Sequence, residues 1–405
     1  MNKIFIFAIV LFFPLEIFAA EDSKKASEKG NKSLAEKQKT DFLLTTKVRA
    51  DSILNDEYQS SNRKNEFKNN YLRIDVLSNA TFKKNWIGYL NYRIQETPVQ
   101  ESEIVRRDAL PNGGGDKTFE NNYGLLREFY FGYDGDKIKV YGGKFRPTFA
   151  MAYRVGRGIW VEEVAANNYN PLEKLGGVVV LKAGNEKTVG KYDLGFGVFT
   201  NDRKNLDKTQ FTNRDPILKS DGIPGDTRKP ESYFTSLDVN YDFGNNEKLL
   251  YRFAYMNLAV NSNSLVDEID ASKIDDQKGM AATMKYQYPV SKNYNFDLLT
   301  EYVDMKNIDG NSDVSDKYLI ANIINNIYDN WNITLGYGGK RQQYLGRNGQ
   351  DEDMSEISAG YKFGKNYFFD SFTIQIGQRH YRTNNKISVD KVNSRGLMFR
   401  YIKSF

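Results

Sequence analysis

The chain has 405 residues with no cysteine, and its 57 basic and 52 acidic side chains give a net charge of +5. The lack of cysteine excludes a disulfide framework and a thiolate metal site. Charges this nearly balanced argue against a nucleic-acid partner.

The N-terminal residues 1–19 have the layout of a secretory signal peptide. Lys3 is followed by an apolar stretch, and two alanines stand at positions 19 and 20. We expect cleavage near the 19/20 bond, because Ile17 suits the position three residues before a cut after Ala19. An uncleaved anchor is the alternative, but the apolar run is short for a membrane span and Glu16 interrupts it. Secretion through the inner membrane would exclude the cytosol.

Residues 20–40 are rich in Lys, Glu and Ser and nearly free of apolar side chains. Such a segment buries too little surface to offset the entropy lost on ordering. A short coiled-coil stalk is the alternative, but no heptad pattern is present. We therefore expect a mobile periplasmic leader.

Beyond residue 40, period-two alternation predicts sixteen β-strands within a barrel domain at residues 41–405. Residues 237–243, for example, alternate large apolar side chains with Asp and Asn. Apart from the N-terminal segment, no apolar run approaches the ~20 residues of a membrane helix. Mean hydropathy is only −0.63, yet 14% of the residues are aromatic. The predicted strands lie at residues 42–50, 70–77, 86–95, 122–133, 137–145, 174–183, 191–200, 232–243, 248–260, 279–288, 294–305, 317–328, 331–344, 354–363, 368–381 and 393–405.

Short and long connections alternate between these strands. Turns at 134–136 and 244–247 are short, whereas the connections 96–119, 146–173 and 201–231 are long. This alternation predicts an all-β fold, a transmembrane antiparallel up-and-down β-barrel of about 16 strands with both termini on the periplasmic side. Alternate residues would then face a watery lumen and the outer-membrane lipid. A soluble β-sandwich is the alternative, but it would show a continuous apolar core face.

The third long connection, residues 146–173 between the fifth and sixth predicted strands, is unusually apolar for an external loop. It contains Phe149, Met151, Tyr153, Ile159 and Trp160, which an exposed loop has no reason to carry together. A loop that packs against the barrel wall does have such a reason. We therefore expect the third long loop to fold into the lumen.

This stretch also carries a family resemblance. Residues 143–149 look like the Gly-Lys-Phe-x-Pro-x-Phe pattern of alphaproteobacterial porins, and the strand plan resembles general diffusion porins of Gram-negative bacteria. In those porins the third loop forms the pore constriction. The resemblance implies a homotrimer, and a constriction at Arg154, Arg157, Glu162 and Glu163.

Strand parity places several basic residues on the inner face of strands that become neighbours when the barrel closes. If this basic wall faces an acidic loop, the two would produce a transverse electric field that resembles the field in general porins. The basic wall favours anions weakly. Alternatively, these charges merely solvate a water-filled lumen, or the two loop arginines pair with the two loop glutamates. The predicted basic wall consists of Lys47, Arg49, Arg73, Arg93, Arg379 and Arg400.

The last predicted strand has an apolar, largely aromatic face. Leu397, Phe399, Tyr401 and Phe405 share one face, and Arg400 lies on the other. A final strand that ends in phenylalanine resembles the assembly signal of bacterial outer-membrane β-barrel proteins. The resemblance implies recognition of Phe405 by the outer-membrane assembly machinery and a place in the bacterial cell outer membrane.

The sequence predicts no enzyme, no cofactor and no metal site. A barrel phospholipase would need a serine–histidine pair, but the single histidine, His380, falls on the outer face near the rim. Ser371 and Ser394 cannot be placed in register with it. The acidic run at 309–313 lacks a full calcium-loop pattern and is expected to be a solvated loop.

Two functions remain open. The first is a water-filled channel for passive diffusion of small hydrophilic solutes and ions. The second is a substrate-selective channel for a sugar or an anion such as phosphate. A sugar channel usually resembles an eighteen-strand barrel with an aromatic lumen strip, and the aromatics here are expected mostly on the lipid face. A surface adhesin or receptor is a further, weaker alternative.

Overall fold

The computed structural model describes residues 42–61, 67–96, 117–118, 122–161, 169–200, 224–225, 227, 229–260, 271–366, 368–385 and 388–405. The predicted signal peptide and leader lie outside the described residues. So do Glu162 and Glu163.

Sixteen long antiparallel strands of the described chain form one closed sheet, as the alternation predicts. Each pairs with its neighbours in sequence, and the first pairs with the last from Lys47 opposite Ser404 to Tyr58 opposite Asn393. A two-residue strand, Lys117–Thr118, pairs in parallel with the second strand and was not predicted. The sixteen strands are β1 Phe42–Tyr58, β2 Phe67–Phe82, β3 Trp86–Glu96, β4 Asn122–Asp134, β5 Ile138–Phe145, β6 Lys174–Asn185, β7 Gly190–Thr200, β8 Ser232–Gly244, β9 Glu247–Leu258, β10 Gln277–Ser291, β11 Tyr294–Lys306, β12 Val314–Ile327, β13 Trp331–Tyr344, β14 Arg347–Phe363, β15 Ser371–Asn384 and β16 Val389–Ser404.

The two faces of the sheet differ in exposure. On β9 Phe253 is 54% exposed while its neighbour Arg252 is buried, and on β11 Tyr302 is 46% exposed while Glu301 is buried. A closed sheet leaves no unpaired strand edge, so its backbone groups are satisfied without water. An apolar belt on the outer face with polar groups inside is the arrangement of a barrel that spans a membrane.

The two ends of the barrel have different connections. At one end the turns are tight: Asn245 and Asn246 join β8 to β9, both with positive φ (53° and 67°). Two such residues form a hairpin turn whose twist matches the strands it joins. At the other end the connections are mostly long, but β13 and β14 are joined there by only two residues, 345–346. Strand β14 is therefore longer than predicted.

Helical structure is sparse. A four-residue helix, α1 (Ala152–Val155), lies in the connection between β5 and β6. Within the described ranges no helix is long and apolar enough to cross a membrane.

Candidate functional site

The connection between β5 and β6, residues 146–173, is the third long connection. Most of its apolar side chains are buried in the described part: Phe149 and Val161 are 0% exposed, Trp160 is 1% exposed and Ile159 is 3% exposed, whereas Leu172, near the end of the connection, is 41% exposed. Burial against other parts of the chain accounts for an apolar composition that an exposed loop would not have.

A buried carboxylate on β11 binds the first part of this connection. The Glu301 side chain, 1% exposed, accepts hydrogen bonds from the backbone N–H of Met151 (2.6 Å) and Ala152 (3.0 Å). The hydroxyls of Thr283 on β10 (2.6 Å) and of Tyr169 also donate to it. Four donors satisfy the charge of a carboxylate that would otherwise be costly to bury.

A second buried carboxylate, Glu356 on β14, binds the later part. It accepts hydrogen bonds from the backbone N–H groups of Ile159 (2.6 Å), Trp160 (3.0 Å) and Val161 (3.1 Å). Gly158 precedes them with a φ of 104°, and a Cβ atom at this position would collide with the Glu356 carboxylate. Glycine is therefore required here both for its backbone angle and for the close approach.

Two further inward-facing residues hold the backbone of this connection at Ala150 and Arg157. The Asn322 side chain on β12 accepts from the Arg157 N–H (3.0 Å) and donates to the Arg157 carbonyl (3.3 Å). Arg252 on β9 donates to the Ala150 carbonyl (3.3 Å) while it is paired with Asp238 (2.7 Å). Side chains of β9, β11, β12 and β14 thus all bind the backbone of one segment.

Inward-facing glycines make room for the apolar side chains of the segment. A Cβ atom at Gly396 on β16 would lie 2.6 Å from the Trp160 ring, and one at Gly279 on β10 would lie 2.8 Å from the Phe149 ring. Real Cβ atoms do not approach so closely. Glycines 336 and 377 similarly accommodate Val161 and Ile159. The segment and the wall are therefore complementary in shape as well as in hydrogen bonding.

Both ends of the connection meet at one carboxylate. Glu173, just before β6, lies 3.1 Å from Arg146, just after β5, and 2.5 Å from Arg127 on β4. Arg127 is an additional residue in β4 where the register with β3 shifts, so it does not follow simple alternation.

Three residues of the predicted basic wall lie around a single carboxylate. Asp51, 0% exposed, is 2.6 Å from Arg49, 2.6 Å from Arg73 and 2.8 Å from Arg400. These residues come from β1, β2 and β16, which the closure of the barrel makes adjacent. Asp51 is not among the predicted wall residues, although Asp51 has the same strand parity as Arg49.

The other predicted wall residues are more dispersed. Arg93 on β3 pairs with Asp75 on β2 (2.9 Å between Nη2 and Oδ2). Arg379 on β15 lies 3.2 Å from Glu57 and 5.4 Å from the centre of the Trp160 ring. Lys47 is exposed and two residues before Arg49 on β1. Most of these basic side chains are thus held by acidic neighbours on the same face.

The two loop arginines have different surroundings. Both Arg154 and Arg157 are exposed. The Arg154 guanidinium lies 5.1 Å from the centre of the Tyr153 ring and interacts electrostatically with Glu128. Arg157 interacts electrostatically with Lys285 on β10 and with Asp297 on β11.

His380 lies at the exposed end of β15, where its Nδ1 is 2.8 Å from the Asn393 side chain. Ser394 instead hydrogen-bonds to Arg379 (3.2 Å).

The fold is shared with solved outer-membrane proteins at low sequence identity. The outer-membrane channel DcaP of Acinetobacter baumannii is 12% identical, with a TM-score of 0.52 over 89% of this chain and 97% of that chain. The loop L8 deletion mutant of OmpT, an outer-membrane protein of Vibrio cholerae, is 10% identical, with a TM-score of 0.51 over 89% and 99%. OmpT in its trimer form is 11% identical, with a TM-score of 0.50 over 89% and 99%. No family model matches the chain, and a search of curated proteins found no match.

These comparisons establish the architecture: the chain has the closed sixteen-strand barrel of bacterial outer-membrane proteins. Together with the exposed apolar belt, this architecture places it in an outer membrane.

Proposed function

We propose that this protein is a porin, a water-filled channel for passive diffusion of small hydrophilic solutes and ions across the outer membrane. One observation carries the proposal: the inward-facing carboxylates of Glu301 and Glu356 bind backbone N–H groups of the third long connection. A barrel of sixteen strands is wide enough for an aqueous channel. In our proposal the third loop folds into this channel and narrows it without closing it.

The proposed constriction acts on solutes through size and charge. Arg154 and Arg157 supply positive charge on the loop, and the proposal assigns Glu162 and Glu163 as their acidic counterparts. Two unit charges 8 Å apart interact by about 0.5 kcal/mol in water but by about 2 kcal/mol at an effective dielectric near 20. Charges near the loop would therefore steer ions more than the net charge of the protein does. The arginines around Asp51 support a weak preference for anions.

Planar-bilayer recording tests the channel. We expect stepwise, ohmic conductance from the purified protein at low voltage. Deletion of residues 151–161 should raise the single-channel conductance roughly twofold, because the strands alone leave a wider lumen. Replacing Glu186 by Gln, an exposed side chain in a turn, should change nothing. Protein that refolds to β-structure but never conducts would refute the porin proposal.

We further propose that Phe405 acts in assembly. Its N–H donates to the Thr46 carbonyl (2.7 Å) and its carbonyl accepts from the Thr46 N–H (3.1 Å), so the last residue completes the closure of the barrel. Removal of Phe405 should lower the amount of folded protein in outer membranes, as measured by gel mobility without boiling. An unchanged amount would contradict this role.

A homotrimer is also proposed. The outer face of β1 and β2 carries several small side chains among aliphatic ones such as Val48, Ile74 and Val76, whereas the outer faces of β9 to β14 include large exposed ones such as Phe253, Tyr302 and Trp331. The small side chains are Thr46, Ala50, Ser52, Ser78 and Ala80. A face of small and aliphatic side chains suits close packing of a second copy. Crosslinking in outer membranes should yield trimers, and monomers alone would contradict the proposal.

The substrate-selective channel is the second candidate. It is favoured by the three guanidinium groups that surround Asp51, since arginine binds anions in a fixed geometry. Saturation of the current by one solute at concentrations where others pass freely would favour selectivity over general diffusion.

A further inference from the structure

Three tyrosines form a row on the inner face of neighbouring strands. Tyr89 on β3 and Tyr130 on β4 have ring centres 5.0 Å apart, and Tyr130 and Tyr141 on β5 have ring centres 4.7 Å apart. Phe129 and Phe131, on either side of Tyr130, are more than half exposed on the outer face. The alternation therefore places the tyrosine row on the lumen side. The strand pattern predicts aromatics mostly on the lipid face, so this row was not predicted.

The hydroxyl groups of the row are available to a solute. All three tyrosines are half-buried, and within the described residues their hydroxyls make no hydrogen bond. Buried phenols usually have a hydrogen-bond partner, so three adjacent hydroxyls without one form a polar strip that water or a solute must satisfy.

An exposed cation faces this strip. Arg154, in α1, interacts electrostatically with Tyr89, Tyr130 and Tyr141. The Glu128 carboxylate on β4 interacts with the same arginine and accepts a hydrogen bond from Asn91 (3.3 Å). The lumen therefore holds one guanidinium, three phenol hydroxyls and one carboxylate in a single cluster.

We propose that Arg154 and the three tyrosines bind sugar acids, monovalent anions that carry several hydroxyl groups. The inference deepens the proposed channel function and rests on it. A guanidinium binds a carboxylate with two parallel hydrogen bonds, and phenols both donate to and accept from sugar hydroxyls. A simple carboxylate would use only the arginine, and a neutral sugar would use only the phenols. Only a sugar acid uses both.

Two features narrow the ligand further. Tyr130 is packed between Tyr89 and Tyr141, so the middle ring of the row does not offer an open aromatic face on which a neutral sugar stacks. Glu128 beside the arginine repels a second negative charge, which disfavours a phosphate dianion relative to a carboxylate.

Solute-induced current noise in planar bilayers tests the site, with gluconate, glucose, propionate and inorganic phosphate as probes. Gluconate should bind at least about tenfold more tightly than each of the others. Replacing Arg154 by Gln should weaken gluconate binding about tenfold, because a hydrogen-bonded charge is lost. Lys292→Gln is the control: it removes one positive charge from the exposed turn between β10 and β11, outside the proposed constriction, and it should change binding less than about twofold.

The hydroxyls are tested separately. A triple Tyr→Phe variant at positions 89, 130 and 141 keeps the stacked rings, so it should weaken gluconate binding and leave propionate unaffected. Equal effects of Arg154→Gln and Lys292→Gln, or phosphate binding as tight as gluconate binding, would overturn the assignment.

Saturation-transfer NMR with gluconate and the detergent-solubilised barrel measures the same site without conductance. A conducting channel with no gluconate signal would overturn this inference and leave the porin proposal intact. A gluconate signal lost in Arg154→Gln would support the site even in a barrel that fails to conduct, while that failure would refute the porin proposal.

Discussion

Two parts of the barrel wall use buried carboxylates in different ways. On β11 and β14, Glu301 and Glu356 bind backbone N–H groups of the third long connection. On β1 and β2, Asp51 and Asp75 bind arginine side chains of the same or adjacent strands. The first wall, which we call the loop-binding wall, is lined by glycines and apolar residues and holds a segment in place. The second, the arginine wall, is held together by ion pairs within the sheet.

The difference shows how one alternating pattern can serve two purposes. Inward positions of both walls include acidic residues, but their partners come from different places. In the arginine wall the partners are inward-facing arginines of the same strand or of neighbouring strands. In the loop-binding wall the partners are backbone groups more than a hundred residues away in sequence.

The largest effect is expected in the arginine wall. Asp51→Asn should lower the free energy of unfolding by about 3 kcal/mol, because three guanidinium groups then face one another without a counter-charge. Urea unfolding in lipid vesicles measures this. Asp56→Asn on the same strand is the control: Asp56 pairs with Arg395, which is 69% exposed, so its loss should cost less than about 1 kcal/mol. Equal costs for the two variants would mean that Asp51 does not organise this wall.

The loop-binding wall should be the next most sensitive. Glu356→Gln keeps the side-chain size but removes the charge that binds three N–H donors, so it should cost about 2 kcal/mol. A loosened segment should also increase the noise of the open-channel current, which Asp51→Asn should not do. A quiet current in Glu356→Gln would argue that the carboxylate does not hold the loop.

Much of the barrel could be predicted from sequence, and the failures have physical causes. Strand β13 has the predicted bounds, because its outer side chains are apolar over most of its length. Strands β1 and β14 were predicted too short. At the loop end of each, outward positions such as Asp56 and Asp351 pair with arginines instead of facing lipid, so the apolar half of the alternation disappears there.

The attachment of the third long connection to the inner face of the barrel wall was only partly predictable. Its apolar composition indicated burial. Glu301 and Glu356 were missed because their partners are backbone groups, which carry no sequence signature. A weak signal was available in parity: Glu301 lies between the inward-facing Leu299 and Val303, where an unpartnered carboxylate would be costly. Inward-facing glycines such as Gly396 give a second signal, since small residues in a wide barrel leave space for something else to fill.

A substitution that disturbs the fit between Trp160 of the third long connection and β16 should have a smaller effect on stability. Gly396→Ala places a methyl group against the Trp160 ring and should cost about 1 kcal/mol, with a matching change in tryptophan fluorescence. Gly88→Ala is the control: its added Cβ would have no neighbour closer than 3.7 Å, so it should be nearly neutral. If both substitutions are neutral, the contact between Trp160 and β16 does not contribute to stability.

The smallest effect concerns ion preference. Arg49 is the most exposed of the arginines around Asp51, with 23% of its side chain accessible. Arg49→Gln removes one positive charge from the lumen while Arg73 and Arg400 still hold Asp51, so the barrel should fold normally. The reversal potential in a KCl gradient should then move a few millivolts towards cation preference, because less positive potential attracts chloride. Lys292→Gln, in the turn between β10 and β11, should leave the reversal potential unchanged.

The shift caused by Arg49→Gln should shrink at high salt. Salt screens exposed charges more than buried ones, and the Arg49 side chain is partly open to the lumen. No shift at low salt would show that the arginine wall stabilises the sheet without acting on permeating ions.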